Sequence, residues 1–543
     1  MTVVSIRYTM RRFIFHTILI AVGAWLCLGA QRAQTQTTRV KIAIPKTAVP
    51  VDPMIYGQML ENVNDSMIYG GVADLRGNVR RHLIPHLKDL QIPVMRWPGG
   101  TVVYEYHWQN GIGPRNKRPE VPTLAWNGVE NYQFGTDEFL QWCKDVGTAP
   151  YINLNMSLHP DYEGTLDEAL NWMEYVNGGA HTKYGKLRAE NGHPEPYNVQ
   201  FWCIGNENYL ASRAARIQES DAQYAKRLNT WASAIRRAHP DVKLLGIGHT
   251  EEWNQTILEE NGQLIDFLTQ HYYINSRVKD GEIQSPLQTL FAPLKMEAHL
   301  AKLGAQLSVM NQQLGRTGNP VRLSVDEWNN RHSVFHEGEY TFSRQAARRQ
   351  FDVAVVSGML NAFIRQSPHV GMANYIFPVN AHGLIRTVGD DGSFLTPIYH
   401  VFKQYREQLV GTQLKAIVEG PSVDIDVPHL AIVGDTRFDS VAMHTSRVPY
   451  IDAAAVRHAN GNIYLSLVNR SPDTSHPVSV DIPEGYAGKS VWMLGHHDIN
   501  ASNRSDNPTE IVPSERRLRS NQGRIDIEIA PCGLQIIQLV PAY

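Results

Sequence analysis

The chain has 543 residues, 43% hydrophobic and 19% charged, which is material for one large core and a smaller one. Its formal net charge is −2 with a pI near 6.9 and there is no long basic run, so neither nucleic acid nor an anionic membrane surface is an expected partner. A neutral partner fits this balance better.

At the N-terminus, Arg7, Arg11 and Arg12 precede an apolar stretch from Phe13 to Ala30, followed by the polar "QRAQTQTTR". This layout predicts a secretory signal over residues 1–33, cut after Ala30 or Ala33, and export to the periplasm or beyond. An uncleaved anchor is the alternative, because the apolar stretch approaches spanning length. The four cysteines, Cys27, Cys143, Cys203 and Cys532, are scattered and do not form a disulfide framework.

Residues 34–50 contain a strand-like run, Val40 to Ile44, expected to join a second domain. Residues 51–405 alternate short apolar runs with stretches of helical periodicity. The strand candidates are "MIYGQMLE" (from Met54), "PVMRWPGG" (Pro93), "PYINLN" (Pro150), "VQFWCIGNE" (Val199), "VKLLGIG" (Val242), "FLTQHYY" (Phe267), "VRLSVDEW" (Val321) and "VGMANYIFPVN" (Val370). Helical periodicity marks Thr165 to Tyr175, Asp221 to Ala238 and Arg344 to Arg365. The rhythm predicts an α/β fold, a (β/α)8 TIM barrel, whose reactive residues belong at the C-terminal ends of strands.

Residues 406–543 change texture to short alternating runs, "VAMHTSRV", "IYLSLVNRS", "VSVDI", "RIDIEIA" and "LQIIQLV", which predict a C-terminal all-β, jelly-roll-like sandwich. Disorder is expected at Gln31 to Thr38 and in "NASNRSDNPTE" from Asn500.

Two predicted strand ends carry a glutamate, Glu207 after "IGN" and Glu327 in "SVDEWN". Either alone reads as a solvated loop residue. At the ends of the fourth and seventh strands, however, they face one another across the barrel mouth, and a carboxylate pair is the apparatus of glycoside hydrolysis. Glu61, "RWPGG", Asn155, His271 and Tyr273 fall at other strand ends and suit a sugar's hydroxyls and C–H faces. Trp97 and Trp108 could stack on sugar or pack the core. His332 and His336 lack a third metal ligand and read as loop residues.

Together "IYGQMLENV", "RWPGGTVVYEYHWQNGIGPRNKRP", "VENYQFGTDEFLQWC", "WCIGNEN", "VDEWN" and "LTPIYHVFKQY" resemble the family 51 glycoside hydrolases, the α-L-arabinofuranosidases. The resemblance implies an exo-acting, retaining hydrolase of terminal α-L-arabinofuranosyl residues on arabinoxylan, arabinan or derived oligosaccharides, without metal or cofactor, assembled as a homo-oligomer. By carry-over Glu207 is the acid/base and Glu327 the nucleophile, while Glu61, Gly100, Thr101, Asn206, His271 and Tyr273 hold the sugar. Where many family members have a His and a Gln, this chain has Asn62 and Phe377. Alternatives are an endoglucanase of this family, another pentosidase, or a carbohydrate-binding relic. Ionisation of Glu327 beside it, and burial, are expected to raise the pKa of Glu207.

Overall fold

In the computed structural model, which describes residues 36–211, 215–427, 443–519 and 522–542, eight parallel strands pair in chain order and close on themselves. They are β1 (Gly57–Met59), β2 (Val94–Trp97), β3 (Ala149–Leu154), β4 (Phe201–Ile204), β5 (Lys243–Gly246), β6 (Phe267–Lys279), β7 (Arg322–His336) and β8 (Val370–Tyr375). Closure comes from β8 pairing with β1, Asn374 opposite Gly57. The expected TIM barrel is present, and each strand candidate contributes one stave.

A helix follows each strand: α1 (Ile84–Asp89), α2 (Thr136–Val146), α3 (Leu166–Asn177), α4 (Asp221–Ala238), α5 (Glu251–Asn261), α6 (Pro293–Gln313), α7 (Gln350–Arg365) and α8 (Pro397–Gln408). Local chemistry sets their starts. Thr165 caps α3 by accepting from Glu168 N, and Ser220 with Gln223 forms a reciprocal capping box on α4. Tyr224, Leu228, Trp231 and Ile235 then make the buried stripe of α4. Helix α7 begins at Gln350 rather than at Arg344, because Asp352 accepts from the Arg349 backbone N–H at 2.8 Å and fixes the first turn there.

The C-terminal region is mostly β, as expected. Strands β9 (Gly411–Glu419), β10 (Ile451–Arg457), β11 (Ile463–Asn469), β12 (His476–Asp481), β13 (Tyr486–Leu494), β14 (Ser514–Arg517), β15 (Arg524–Ile529) and β16 (Leu534–Pro541) pair in the order β14-β13-β16-β11-β10-β9, then the N-terminal strand Thr38–Ala43, then β12-β15. Val40 lies opposite Val418 on one side and Val480 on the other. Residues from both ends of this order, Ile527 and Val491 among them, share one apolar cluster, so the sheet curls over into two layers.

Two sequence expectations differ here. The strand in "VAMHTSRV" is Met443–Pro449, which among the described residues pairs only with Ser422–Val427, in a separate ribbon. Alternation reports a strand but not its partner. The Asn500 loop is tied down: Asn503 donates to Leu395 O and accepts from Ile511 N, and Asn500 Oδ1 accepts from Ile283 N. The predicted signal segment, residues 1–33, lies wholly outside the described residues, and so do residues 31–35 of the stretch Gln31 to Thr38. Cys143, Cys203 and Cys532 are free and buried. No described helix is long and apolar enough to cross a membrane.

Candidate active site

The C-terminal ends of the barrel strands converge on a cavity of about 150 Å³, lined by Glu61, Thr101, Trp126, Glu207, Tyr273, Glu327, Arg331, Phe342, Arg344, Ile376, Phe377 and His382. Its floor is polar because Arg96, wholly buried on β2, reaches into the barrel interior. Arg96 donates to Glu327 Oε1 at 2.6 Å and to Asn206 Oδ1 at 2.8 Å, and its Nε lies 3.4 Å from Asp326. Strand alternation would send Asp326 and Glu327 to opposite faces. A register shift against β8 between Val325 and Trp328 breaks that alternation, and both acids reach the same guanidinium.

The pairing of β6 with β7 sets His271 opposite Glu327. Two residues on and on the same face, Tyr273 donates its hydroxyl to Glu327 Oε2. Glu207 lies beyond β4 in a turn whose Gly205 and Glu207 both have positive φ, +94° and +46°. For the glutamate that conformation is costly. It is held by Arg216, which donates to Oε2 at 2.7 Å, and by His271, whose Nδ1 is 2.8 Å from Oε1. One carboxylate oxygen of Glu207 comes within 4.8 Å of one of Glu327.

Gly99 and Gly100 allow the backbone to pass against these acids. A Cβ at Gly99 would lie 2.3 Å from Glu61 Cγ, and one at Gly100 would lie 2.4 Å from Glu327 Oε1. Glu61 accepts from Val102 N at 3.0 Å and from Trp126 Nε1 at 3.3 Å.

The electrostatics correct one expectation. Burial pushes the Glu207 carboxyl up, but the hydrogen bond from His271 and the charges of Arg216 and His271 outweigh it and hold the group well below the usual carboxylate range. The proton sits instead on His271. Its burial disfavours the cation, yet Glu327 and Asp326 raise it to about 10. Glu61, with burial first and the Glu327 charge second, is pushed up to about 7. Although Glu207, His271 and Glu327 have metal-like spacing, Arg96 and Arg216 already compensate the two carboxylates, which leaves a divalent cation poorly matched.

Of the residues singled out from sequence, Glu61, Thr101, Glu207, Tyr273 and Glu327 line the cavity, while Gly100, Asn206 and His271 back it. Among the described residues, Asn206 Nδ2 is buried with no hydrogen-bond partner. Asn155 does not join them; its side chain bonds Tyr162 O and Ser157 N within its own loop. Trp97 and Trp108 are core residues, Trp97 stacking on Phe139 at 4.7 Å. His332 binds Asp352 at 3.0 Å and His336 lies elsewhere on the strand's exposed end. Asn62 turns to Glu130 at 2.8 Å, away from the cavity, whereas Phe377 lines it.

Sequence reasoning missed Arg96 as an organiser, Arg216, and the wall made by Trp126, Arg331, Phe342, Arg344 and His382. Arg96 sits in the quoted "RWPGG", where a cation inside an apolar strand was a usable signal. The wall had none, since its members come from segments far apart in the chain.

The α-L-arabinofuranosidase 1 domain family model matches residues 86–286, and the α-L-arabinofuranosidase C-terminal domain model matches residues 326–532. A probable α-L-arabinofuranosidase C of Aspergillus clavatus is 32% identical over 87% of this chain and 92% of its own. A protein of Bacteroides ovatus named intracellular exo-α-L-arabinofuranosidase is 26% identical over 95% of this chain and 98% of its own. Among solved structures, the α-L-arabinofuranosidase of Thermotoga maritima in complex with arabinose superposes with a TM-score of 0.78 at 29% identity, covering 93% of this chain and 99% of that one. The thermostable GH51 α-L-arabinofuranosidase of Thermotoga petrophila gives 0.77 at 29%, covering 93% and 100%.

Proposed function

The chain belongs to the family 51 α-L-arabinofuranosidases and is an exo-acting glycoside hydrolase of that specificity, and on this premise we propose that it removes terminal α-L-arabinofuranosyl residues from arabinoxylan, arabinan or derived oligosaccharides by a two-glutamate double displacement. The observation that carries the mechanism is the approach of one carboxylate oxygen of Glu207 to within 4.8 Å of one of Glu327, a closeness that suits a nucleophile and an acid/base acting on one anomeric carbon better than the wider spacing of an inverting pair.

In this reading Glu327, positioned by Arg96 and Tyr273, attacks the anomeric carbon as Glu207 protonates the departing oxygen. The proton comes from His271, 2.8 Å from Glu207. Ester formation at Glu327 removes the negative charge that holds that proton on His271, so the relay becomes more acidic as the leaving group departs. Glu207 then takes a proton from water, which hydrolyses the arabinosyl-enzyme, and the proton returns to His271. Asn206, with a free amide N–H, donates to the sugar's 2-hydroxyl. Glu61 and Thr101 bind other hydroxyls.

We also assign residues 51–405 to the catalytic barrel and residues 406–543, with the strand from residues 34–50, to the sandwich. The basic, apolar and small-residue zones of residues 1–33 support export, and family resemblance supports a homo-oligomer.

The test compares wild type, Glu327→Ala and Glu207→Ala on p-nitrophenyl α-L-arabinofuranoside, with the β-D-xyloside and β-D-glucoside as controls. Glu327→Ala should lose more than about 10³-fold in kcat/KM, and Glu207→Ala should recover turnover with azide as an arabinosyl azide of retained configuration. Wild-type rates in either variant would remove that glutamate from its role.

A further inference from the structure

Arg331 has no task in this mechanism. Its Cα lies four residues beyond Glu327 on the same face of β7, about 13 Å along the strand at roughly 3.3 Å per residue, and its side chain turns back over Tyr273. Its guanidinium is laid over the Tyr273 ring, 3.1 Å from the centroid, and faces Phe342 at 5.4 Å. Among the described residues it has no hydrogen bond or ion pair, and its Nε is buried without a partner. Beside it His382 is 1% exposed, and neither ring nitrogen has a hydrogen-bond partner among the described residues. Arg344 completes this wall over Trp126, 4.3 Å from the ring, with one nitrogen on Asp65 at 3.0 Å.

An unpaired cation is unfavourable in this cavity unless something answers it. Arabinofuranosyl transfer builds positive charge on the sugar ring, and a nearby guanidinium opposes that charge. Buried donors without partners carry a further cost. Both costs disappear if a carboxylate of the substrate docks on the guanidinium, which matches carboxylate geometry with two parallel hydrogen bonds. An exo-acting site holds the terminal sugar against the catalytic pair, which is buried, whereas Phe342 beside the guanidinium is 45% exposed, so Arg331 stands at the rim that the departing sugar must pass.

Resting on the activity assigned above, we propose that Arg331, flanked by His382, binds the carboxylate of a uronic acid in the leaving group, so that the enzyme prefers arabinofuranosyl groups carried on acidic saccharides.

The experiment uses the full chain and two oligosaccharides that differ only in whether the sugar bearing the arabinofuranosyl group carries a hydroxymethyl or a carboxylate. At low ionic strength wild type should favour the acidic one by on the order of tenfold in kcat/KM. Salt should shrink that ratio, Arg331→Lys should keep part of it, and Arg331→Gln should bring it to about one. Equal rates in wild type, or a ratio unchanged in Arg331→Gln, would overturn the proposal. Failure of wild type on p-nitrophenyl α-L-arabinofuranoside would instead overturn the assigned activity. In that case calorimetric binding of the two oligosaccharides to Glu327→Gln still reads the preference, and equal affinities would reject it.

Discussion

Of the three carboxylates lining the cavity, Glu61 alone takes its hydrogen bonds from neutral donors, Val102 N–H and Trp126 Nε1–H. That difference explains why burial and the charge of Glu327 push it up to about 7, while Glu207 beside Arg216 and His271 goes the other way. A group raised on folding contributes its stability in full below its unfolded value, near 4.5, and loses it as pH rises through about 7. Both donors reach the same oxygen, so an amide oxygen can replace it. Glu61→Gln should therefore match wild type in stability at pH 4, exceed it by a few kcal/mol at pH 8, and lose roughly tenfold in kcat/KM. Thermal unfolding at the two pH values checks this. An equal difference at both would mean that Glu61 does not titrate as described.

At the scale of elements, β7 and α7 act as one piece. Asp352, in the first turn of α7, takes hydrogen bonds from Asn330 at 2.7 Å and Arg348 at 3.0 Å, with His332 Nε2 also at 3.0 Å. Asn330 and His332 belong to the part of β7 that runs past the barrel and carries Arg331. Burial raises the Asp352 carboxyl, but the charges of His332 and Arg348 win and depress it. A depressed carboxyl contributes stability above its unfolded value, near 4, and loses it as pH falls through the folded value. Asp352→Ala should cost about 3–5 kcal/mol at pH 7, since it leaves Arg348 buried and unpaired, and progressively less on acidification. Denaturant titrations at pH 7 and pH 3 would show it; a loss below 1 kcal/mol at pH 7 would contradict the linkage.

For the whole molecule, the critical surface is the outer side of α7. Residues 350–364 are all buried, because the barrel covers one side and the β-domain the other. Polar bonds cross this boundary as well: Asn361 to Asp452 at 2.8 Å, Arg365 to Asp452 at 3.1 Å and Gln350 to Cys532 O at 2.7 Å. A barrel without its β-domain would expose an apolar helix face and leave Arg365 without Asp452. Calorimetry should thus give one transition with calorimetric and van't Hoff enthalpies equal, and Asp452→Ala should lower it as a unit. Two separated transitions would show that the bodies fold independently.

What the sequence determined by itself was the architecture and the chemistry at the strand ends. Apolar runs alternating with helical periodicity are local properties of a parallel barrel, and Glu207 and Glu327 each close such a run, so their places were legible one segment at a time. The tertiary structure decided how those acids are charged and what surrounds them. Arg96 meets Glu327 across 231 positions and Trp126 meets Glu61 across 65, distances over which no periodicity carries information. The bulge that turns Asp326 inward depends on the register between strands. The low pKa of Glu207 depends on Arg216, nine residues on in the same connection, and on His271 arriving from β6. Side-chain orientation and Coulomb energy are set by separations in space, and only the closed barrel makes those separations small.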